Sequence, residues 1–296
     1  MKNAMLIVNP SSGKEEALNY VEEIEGILNK QGYEVNVSQT EKELDATRFC
    51  QSACKDEYDL VVSLGGDGTL HETINGLIDE HHRPKLGIIP MGTVNDFARA
   101  LNIPLNPEKA IDVLRHHQTR MVDIGTFNDD YFVNIVAVGA LAEATYDVTP
   151  EEKTKLGPLA YVVEGMKTLA SNPSYPLTIE HDGEKWEGDS LLFLAALTNS
   201  IGGFENLAPD AEVDDGVLHC YIINDINVLK LPAILTSILA GKLKKNKDVT
   251  YFKARELRIS SFEELNTNVD GEEGRKLPIE LGIMPNHIDV MVPLKE

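Results

Sequence analysis

Asp59-Leu60-Val61-Val62-Ser63-Leu64-Gly65-Gly66-Asp67-Gly68-Thr69-Leu70-His71-Glu72 reads as a buried strand that stops at three glycines packed around one carboxylate. A helix-start signal follows at once. Glycines let a backbone approach a polyphosphate and adopt positive φ. The amides of the following helix N-terminus attract anions. The order is that of a phosphate-binding turn at the end of a strand. Thr69-x-x-Glu72 also fits a capping box, so these two residues have a plain structural reading. That reading does not cover Gly65, Gly66 and Asp67 together.

The same rhythm extends to both sides. Met5–Val8, Tyr33–Val37, Leu60–Leu64 and Leu86–Ile89 read as strands. Helical spacing is expected over Glu15–Gln31, Glu43–Cys54, Leu70–Ile78, Thr93–Ala100 and Pro107–Arg115. Such βαβα alternation predicts a parallel sheet covered on both faces, with ligands beyond the carboxyl ends of its strands. After about Arg120 the pattern turns to β. Val122–Thr126, Tyr131–Val138, Tyr175–His181, Lys185–Glu187, Leu191–Thr198, Val217–Ile223, Val249–Ser260, Asn266–Asp270, Leu277–Leu281 and His287–Val292 all read as extended. Pro158–Ala170 reads as a helix, and Asp182-Gly183 as a hairpin turn. The expected fold class is therefore α/β: an N-terminal parallel nucleotide-binding domain over 1–122 and a β-rich, sandwich-like domain over 123–290. Residues 291–296 are expected to return to the first.

The chain has 296 residues, 42% of them hydrophobic and 25% charged, an ordinary globular balance. The net charge of -21 suits neither nucleic acid nor an anionic membrane, unless basic residues cluster locally. The one dense basic run, Gly241–Lys247, follows the apolar stretch Leu229–Leu239. It suggests a lipid-facing patch, although lysines also suit a helix C-terminus. Three cysteines are too few for a disulfide framework and lack metal-ligand spacing. The N-terminal apolar run is too short for a signal-peptide core, and no run approaches membrane-spanning length. A cytoplasmic protein that meets a membrane only at its surface is expected.

Two further strand-end loops carry chemistry. Pro90-Met91-Gly92-Thr93-Val94-Asn95-Asp96 follows the strand ending at Ile89, and Thr93 with Asp96 fits an N-cap and its N3 partner. Asn9-Pro10-Ser11-Ser12-Gly13-Lys14 follows the first strand; it is neither a Walker loop nor a dinucleotide fingerprint. Asp210–Gly216 is rich in carboxylates and offers oxygen ligands to one Mg2+, or is a plain acidic turn. Val269-Asp270-Gly271-Glu272 alone reads as a hairpin turn. It gains interest because a kinase for an alcohol needs a carboxylate to accept the hydroxyl proton.

Taken as a set, these segments resemble the diacylglycerol kinase catalytic family, which includes sphingosine and ceramide kinases, and most of all its soluble bacterial members. The resemblance is carried by Asn9-Pro10-x-Ser12-Gly13, Gly65–Thr69, Pro90–Arg99, Asp123-Ile124-Gly125, Gly202-Gly203-Phe204, Asp214-Asp215-Gly216 and Val269-Asp270-Gly271-Glu272. It implies ATP contacts at Asn9, Pro10, Ser11, Ser12, Gly13, Thr40, Gly65, Gly66, Asp67, Gly68, Thr69, Leu70, His71 and Thr93, with Gly92 and Asn95 in the same loop. It implies a structural Mg2+ near Glu212, Asp215 and Val217, partly through backbone carbonyls. Glu272 matches the proton acceptor, with Asp270 beside it. Asp67, with Asp96 and Asp123, is expected to orient catalytic Mg2+. A homodimer and a lipid acceptor at a membrane surface, no nucleic acid, are implied as well. The pattern departs at His71, often Asn in relatives, and at Val138-Gly139-Ala140, where relatives are richer in glycine. Other acceptors (a sphingoid base, phosphatidylglycerol, NAD) and a non-catalytic nucleotide-binding regulator stay open.

Overall fold

A computed structural model describes residues 2–139, 174–203, 205 and 207–294. The helix expected at Pro158–Ala170, and Ala140 and Phe204 of two family motifs, lie outside these. The chain divides into two compact units: Met1–Val122 with Asn286–Glu296, and Asp123–Pro285.

In the first unit β1 (Lys2–Val8), β2 (Tyr33–Gln39), β3 (Leu60–Gly65) and β4 (Lys85–Pro90) lie in the order β2-β1-β3-β4. All are parallel. Val8 is level with both Gln39 and Leu64, and Gly65 with Pro90, so the four carboxyl ends form one rim. β3 is buried throughout and β1 from Ala4 onward, as expected of strands covered on both faces. The end of β15 (Ile279–Met291) returns to this sheet beside β4, with Val290 opposite Leu86.

Helices α1 (Ser12–Glu15), α2 (Val21–Lys30), α3 (Asp45–Lys55), α4 (Asp67–Ile78), α5 (Asp96–Ala100) and α6 (Pro107–Val113) connect the strands. Three expectations need correction. The helix read over Glu15–Gln31 is broken. Gly13, Lys14 and Glu15 have φ of 62°, 59° and 69°, a 3-10 turn follows at Ala17–Tyr20, and regular helix begins only at Val21. The chain is held there because Gly13 N–H donates to Met91 O (3.1 Å). Thr69 and Glu72 are not a capping box. α4 starts three residues earlier, behind Gly66, and Glu72 Oε2 accepts instead from Ala46 N at the start of α3 (3.2 Å). Thr93 is not an N-cap: α5 begins at Asp96, behind Asn95 in the left-handed region (φ 55°).

In the second unit β7 (Ile135–Gly139), β8 (Tyr175–His181), β9 (Glu184–Ala196), β10 (Leu218–Asn224) and β11 (Val249–Ala254) pair antiparallel around β9 and β10. β12 (Glu256–Ser260) joins β8 to the first part of β15, and β13 (Thr267–Val269) pairs β7 and β14 (Glu272–Glu273). β5 (Thr119–Phe127) and β6 (Asp130–Phe132) form a hairpin. Asp182 and Gly183 both have positive φ (44° and 86°), as a two-residue hairpin requires. Alternation along β9 and into the residue after it sends Phe193, Ala195 and Leu197 into one core with Leu218, Cys220 and Ile222. Leu192, Leu194 and Ala196 enter a second core with Tyr221, Ile223 and helix α7 (Leu231–Leu239). The strand read over Tyr131–Val138 is cut at Val133-Asn134. The strands read at Leu277–Leu281 and His287–Val292 are one, β15.

Candidate active site

The rim of the first unit is tied together by loops from three strands. Asn9 N–H donates to Leu64 O (3.0 Å), and Thr40 N–H to Val8 O (2.8 Å). Asn9 Oδ1 accepts from Ser11 N (3.0 Å), while Asn9 Nδ2 donates to Thr69 Oγ1 (3.0 Å). Met91 N–H donates to Gly65 O (2.8 Å). So Asn9 through Gly13, Gly65 through Thr69, and Met91 through Asn95 form one bonded surface.

Close approach explains the glycines. A Cβ on Gly92 would lie 2.9 Å from Gly66 Cα and 2.7 Å from Asn95 Oδ1. A Cβ on Gly66 would lie 3.2 Å from Gly92 Cα, so the loops touch backbone to backbone. Gly68, by contrast, is exposed with open space beside it. The first intrahelical bond of α4 runs from Leu70 N to Gly66 O (3.0 Å). The amides of Asp67, Gly68 and Thr69 precede it and have no partner within the helix, the ordinary state of a helix start. On a helix of 12 residues they carry the positive end of the dipole. Leu70 is buried and His71 half-buried on the next turn.

Asp67 is the keystone of this surface. Its Oδ2 accepts from Asn95 N (2.9 Å) and its Oδ1 from Asp96 N (3.1 Å). The carboxylate thus supplies the start of α5 with the acceptors that Thr93 does not. Asn95 is buried, and its amide closes on Gly92: Oδ1 accepts from Gly92 N (2.9 Å) and Nδ2 donates to Gly92 O (2.8 Å). Its side chain shapes the loop, while Gly92 and exposed Thr93 form its outer surface.

The Glu272 hairpin belongs to the second unit. Asp270 and Gly271, both at positive φ (52° and 97°), join β13 to β14. The Asp270 carboxylate accepts three backbone amides across the break between β6 and β7: Val133 (2.7 Å), Asn134 (2.8 Å) and Ile135 (2.9 Å). Asp270 N–H donates to Ile135 O (3.0 Å). This network cuts the strand expected at Tyr131–Val138, and it fixes the turn that presents Glu272. The Glu272 side chain is exposed. Asn134, Thr198 and Ser200 continue the buried network beneath, since Thr198 Oγ1 bonds Asn134 Oδ1 (3.2 Å) and Ser200 O (3.1 Å).

The acidic loop is also anchored. Buried Asp123 accepts from Gly216 N (2.7 Å) and donates its own N–H to Val213 O (2.7 Å). Asp215 Oδ2 meets His219 Nε2 (2.8 Å) and Lys253 Nζ (3.5 Å), and Oδ1 accepts from Val217 N (3.3 Å). His219 Nδ1 lies 3.0 Å from the Tyr251 hydroxyl. Burial, then the Asp210 and Asp215 charges, push that phenol up to about 12. It stays protonated and can donate to Nδ1, which leaves Nε2–H for Asp215. Among the described residues no group of three His, Cys, Asp or Glu side chains is placed to hold a metal. The oxygen donors of Glu212, Asp215 and the Val217 carbonyl suit Mg2+ in kind, with water completing the shell. The partners of the Asp215 carboxylate already present are a histidine, a lysine and the Val217 amide. Residue patterns gave no sign of His219, Lys253 or the Val133–Ile135 amides, whose roles rest on contacts across the fold.

Strand-end glycine loops around a helix start, on an α/β unit joined to a β-rich one, define a nucleotide-site architecture. Residues 3–127 match the diacylglycerol kinase catalytic domain model, and residues 134–292 match the YegS C-terminal NAD kinase beta sandwich-like domain. A diacylglycerol kinase of Staphylococcus haemolyticus (strain JCSC1435) is 43% identical over 292 residues, covering 99% of this chain and 88% of that protein. A diacylglycerol kinase of Staphylococcus aureus (strain MRSA252) is likewise 43% identical, covering 99% and 93%. A crystal structure of a candidate diacylglycerol kinase from Bacillus anthracis (strain Sterne) superposes with a TM-score of 0.85 at 28% identity, covering 99% and 95%. The chain belongs to the diacylglycerol kinase catalytic family.

Proposed function

We propose that this chain transfers the γ-phosphoryl group of ATP to the free hydroxyl of 1,2-diacyl-sn-glycerol, giving phosphatidic acid and ADP. The observation that carries the nucleotide half is the rim where Gly66 and Gly92 touch and Gly13 is tied to Met91. The names of the relatives support the lipid half. Phosphoryl transfer is mostly positioning and charge neutralisation. The Gly68 and Thr69 amides would hold the ATP phosphates, with the Asn9–Gly13 loop, Thr40 and Thr93 around the nucleotide. Glu272 would accept the hydroxyl proton as the new O–P bond forms and the bond to the ADP oxygen breaks. Bound Mg2+ would neutralise phosphate charge. Asp67 and Asp96 would face a catalytic ion, and Glu212, Asp215 and the Val217 carbonyl would hold a structural one. The Asp123 carboxylate would keep the acidic loop in place.

A radiolabelled-ATP assay against a panel of lipids in mixed micelles tests the reading. Label on diacylglycerol supports it. Label only on a sphingoid base, phosphatidylglycerol or NAD moves the acceptor. No label on any acceptor favours a nucleotide-binding regulator. A cytoplasmic homodimer that touches membranes only at their surface accords with the same reading.

A further inference from the structure

Helix α7 has one face that nothing in the catalytic reading uses. Leu231, Ile234 and Ile238 fill the core against Tyr221 and Ile223. On the other side Pro232, Ala233, Thr236, Leu239 and Ala240 are exposed. No charged residue occurs from Leu231 to Gly241, in a chain that is 25% charged. The two hydroxyls of the helix bond its own backbone: Thr236 Oγ1 donates to Pro232 O (2.7 Å) and Ser237 Oγ to Ala233 O (2.8 Å). At its two ends Leu229 is 83% exposed and Leu239 44%.

Lysines edge this face. Lys230 and Lys244 are paired with Asp248 and Asp210. Lys242, Lys245 and Lys247 are exposed and make no ion pair among the described residues. A helix dipole would account for lysines at the C-terminus, but not for exposed leucines on an uncharged face whose hydroxyls are already bonded to the helix backbone. We propose that this face docks on an anionic bilayer, with Leu229 and Leu239 entering the acyl boundary and Lys242, Lys245 and Lys247 meeting the headgroups. The net charge of -21 does not oppose this strongly. Beyond about 10 Å of screening the distant carboxylates are little felt, and the local lysines decide.

The test uses the full chain without ATP, so docking and phosphoryl transfer are read separately. Co-sedimentation is measured with phosphatidylcholine vesicles with and without phosphatidylglycerol. Binding should require phosphatidylglycerol and weaken with salt. The triple variant Lys242→Gln, Lys245→Gln, Lys247→Gln should bind about a hundredfold more weakly, from the attraction expected per lysine near an anionic surface. Leu229→Asp with Leu239→Asp should also release the protein from vesicles. Turnover in detergent micelles should survive in both variants, whatever the acceptor proves to be. Equal vesicle binding by the triple variant overturns the proposal. So does a leucine variant that splits a dimer yet binds vesicles unchanged, since the face then belongs to a second copy.

Discussion

Asp67 links two readings of one carboxylate. The glycine-rich turn marks it as a group facing phosphate and Mg2+. The bonds to the Asn95 and Asp96 amides make it the brace between two loops as well. Asp67→Ala should therefore abolish turnover and leave the fold intact, because the half-buried side chain holds no core. Circular dichroism beside the kinase assay checks this, and retained turnover removes Asp67 from the site. A second pair of carboxylates can be ranked in the same way. Asp270 is committed to three amides, and Glu272 is exposed at the turn they fix. Glu272→Gln should cut kcat by ~10²–10⁴ with KM for ATP unchanged, the range for a lost acid or base. Asp270→Asn should also lower the melting temperature, since it weakens an anchor. If Asp270→Asn instead leaves stability untouched and Glu272→Gln stays active, the proton acceptor is Asp270. Glycines at backbone contacts were legible in the sequence. The duties of Asn95 and Asp270 were not, because the amides that Asp270 holds lie up to 137 residues away.

Elements show where local pattern gives way to tertiary contact. β1, β3 and β4 were readable because burial on both faces leaves continuous apolar runs. Remote carboxylates also satisfy amides at helix starts, which no local pattern shows. Asp67 does this for α5 and Glu72 for α3. At α3 a second carboxylate helps: Asp45 Oδ2 accepts from Glu41 N (2.9 Å) and Lys42 N (3.0 Å), and Oδ1 pairs with Arg48. The Glu41 amide above all, helped by Arg48 and the Lys42 amide and opposed by burial, holds the Asp45 carboxyl below its ordinary 3.8. A lowered folded-state value means stability that is present above the unfolded value and lost as pH falls through the folded one. Wild type should therefore exceed Asp45→Asn in stability at neutral pH, and the gap should close as pH drops below 3.8. Urea unfolding across that range measures it; a gap that persists in acid would assign the loss to something other than the charge.

At the scale of the molecule, the chain crosses between its two units twice, and the second crossing has a structural cost that can be measured. The β-rich character of the second half was plain from its alternation and turns. That β15 runs unbroken from Ile279 to Met291 was not, because the local pattern shows two separate extended runs, Leu277–Leu281 and His287–Val292. The returning segment is firmly held in the first unit. Val290 pairs with Leu86, Val292 N–H donates to Gln118 O (3.0 Å), and His287 Nε2 lies 2.8 Å from Ile78 O. Ile288, Val290, Met291 and Val292 are all buried. At about 1.5–3 kcal/mol for each buried side chain, they contribute roughly 6–12 kcal/mol. That is comparable to the whole stability of a domain, about 5–15 kcal/mol. A chain ending at Pro285 should therefore lose cooperative folding of its nucleotide-binding unit and with it ATP binding, although every proposed ATP contact is still present. Melting curves and titration with a fluorescent ATP analogue test this. A truncated chain that melts within a few degrees of the full one, and still binds the analogue, would show that the parallel sheet closes without its last strand.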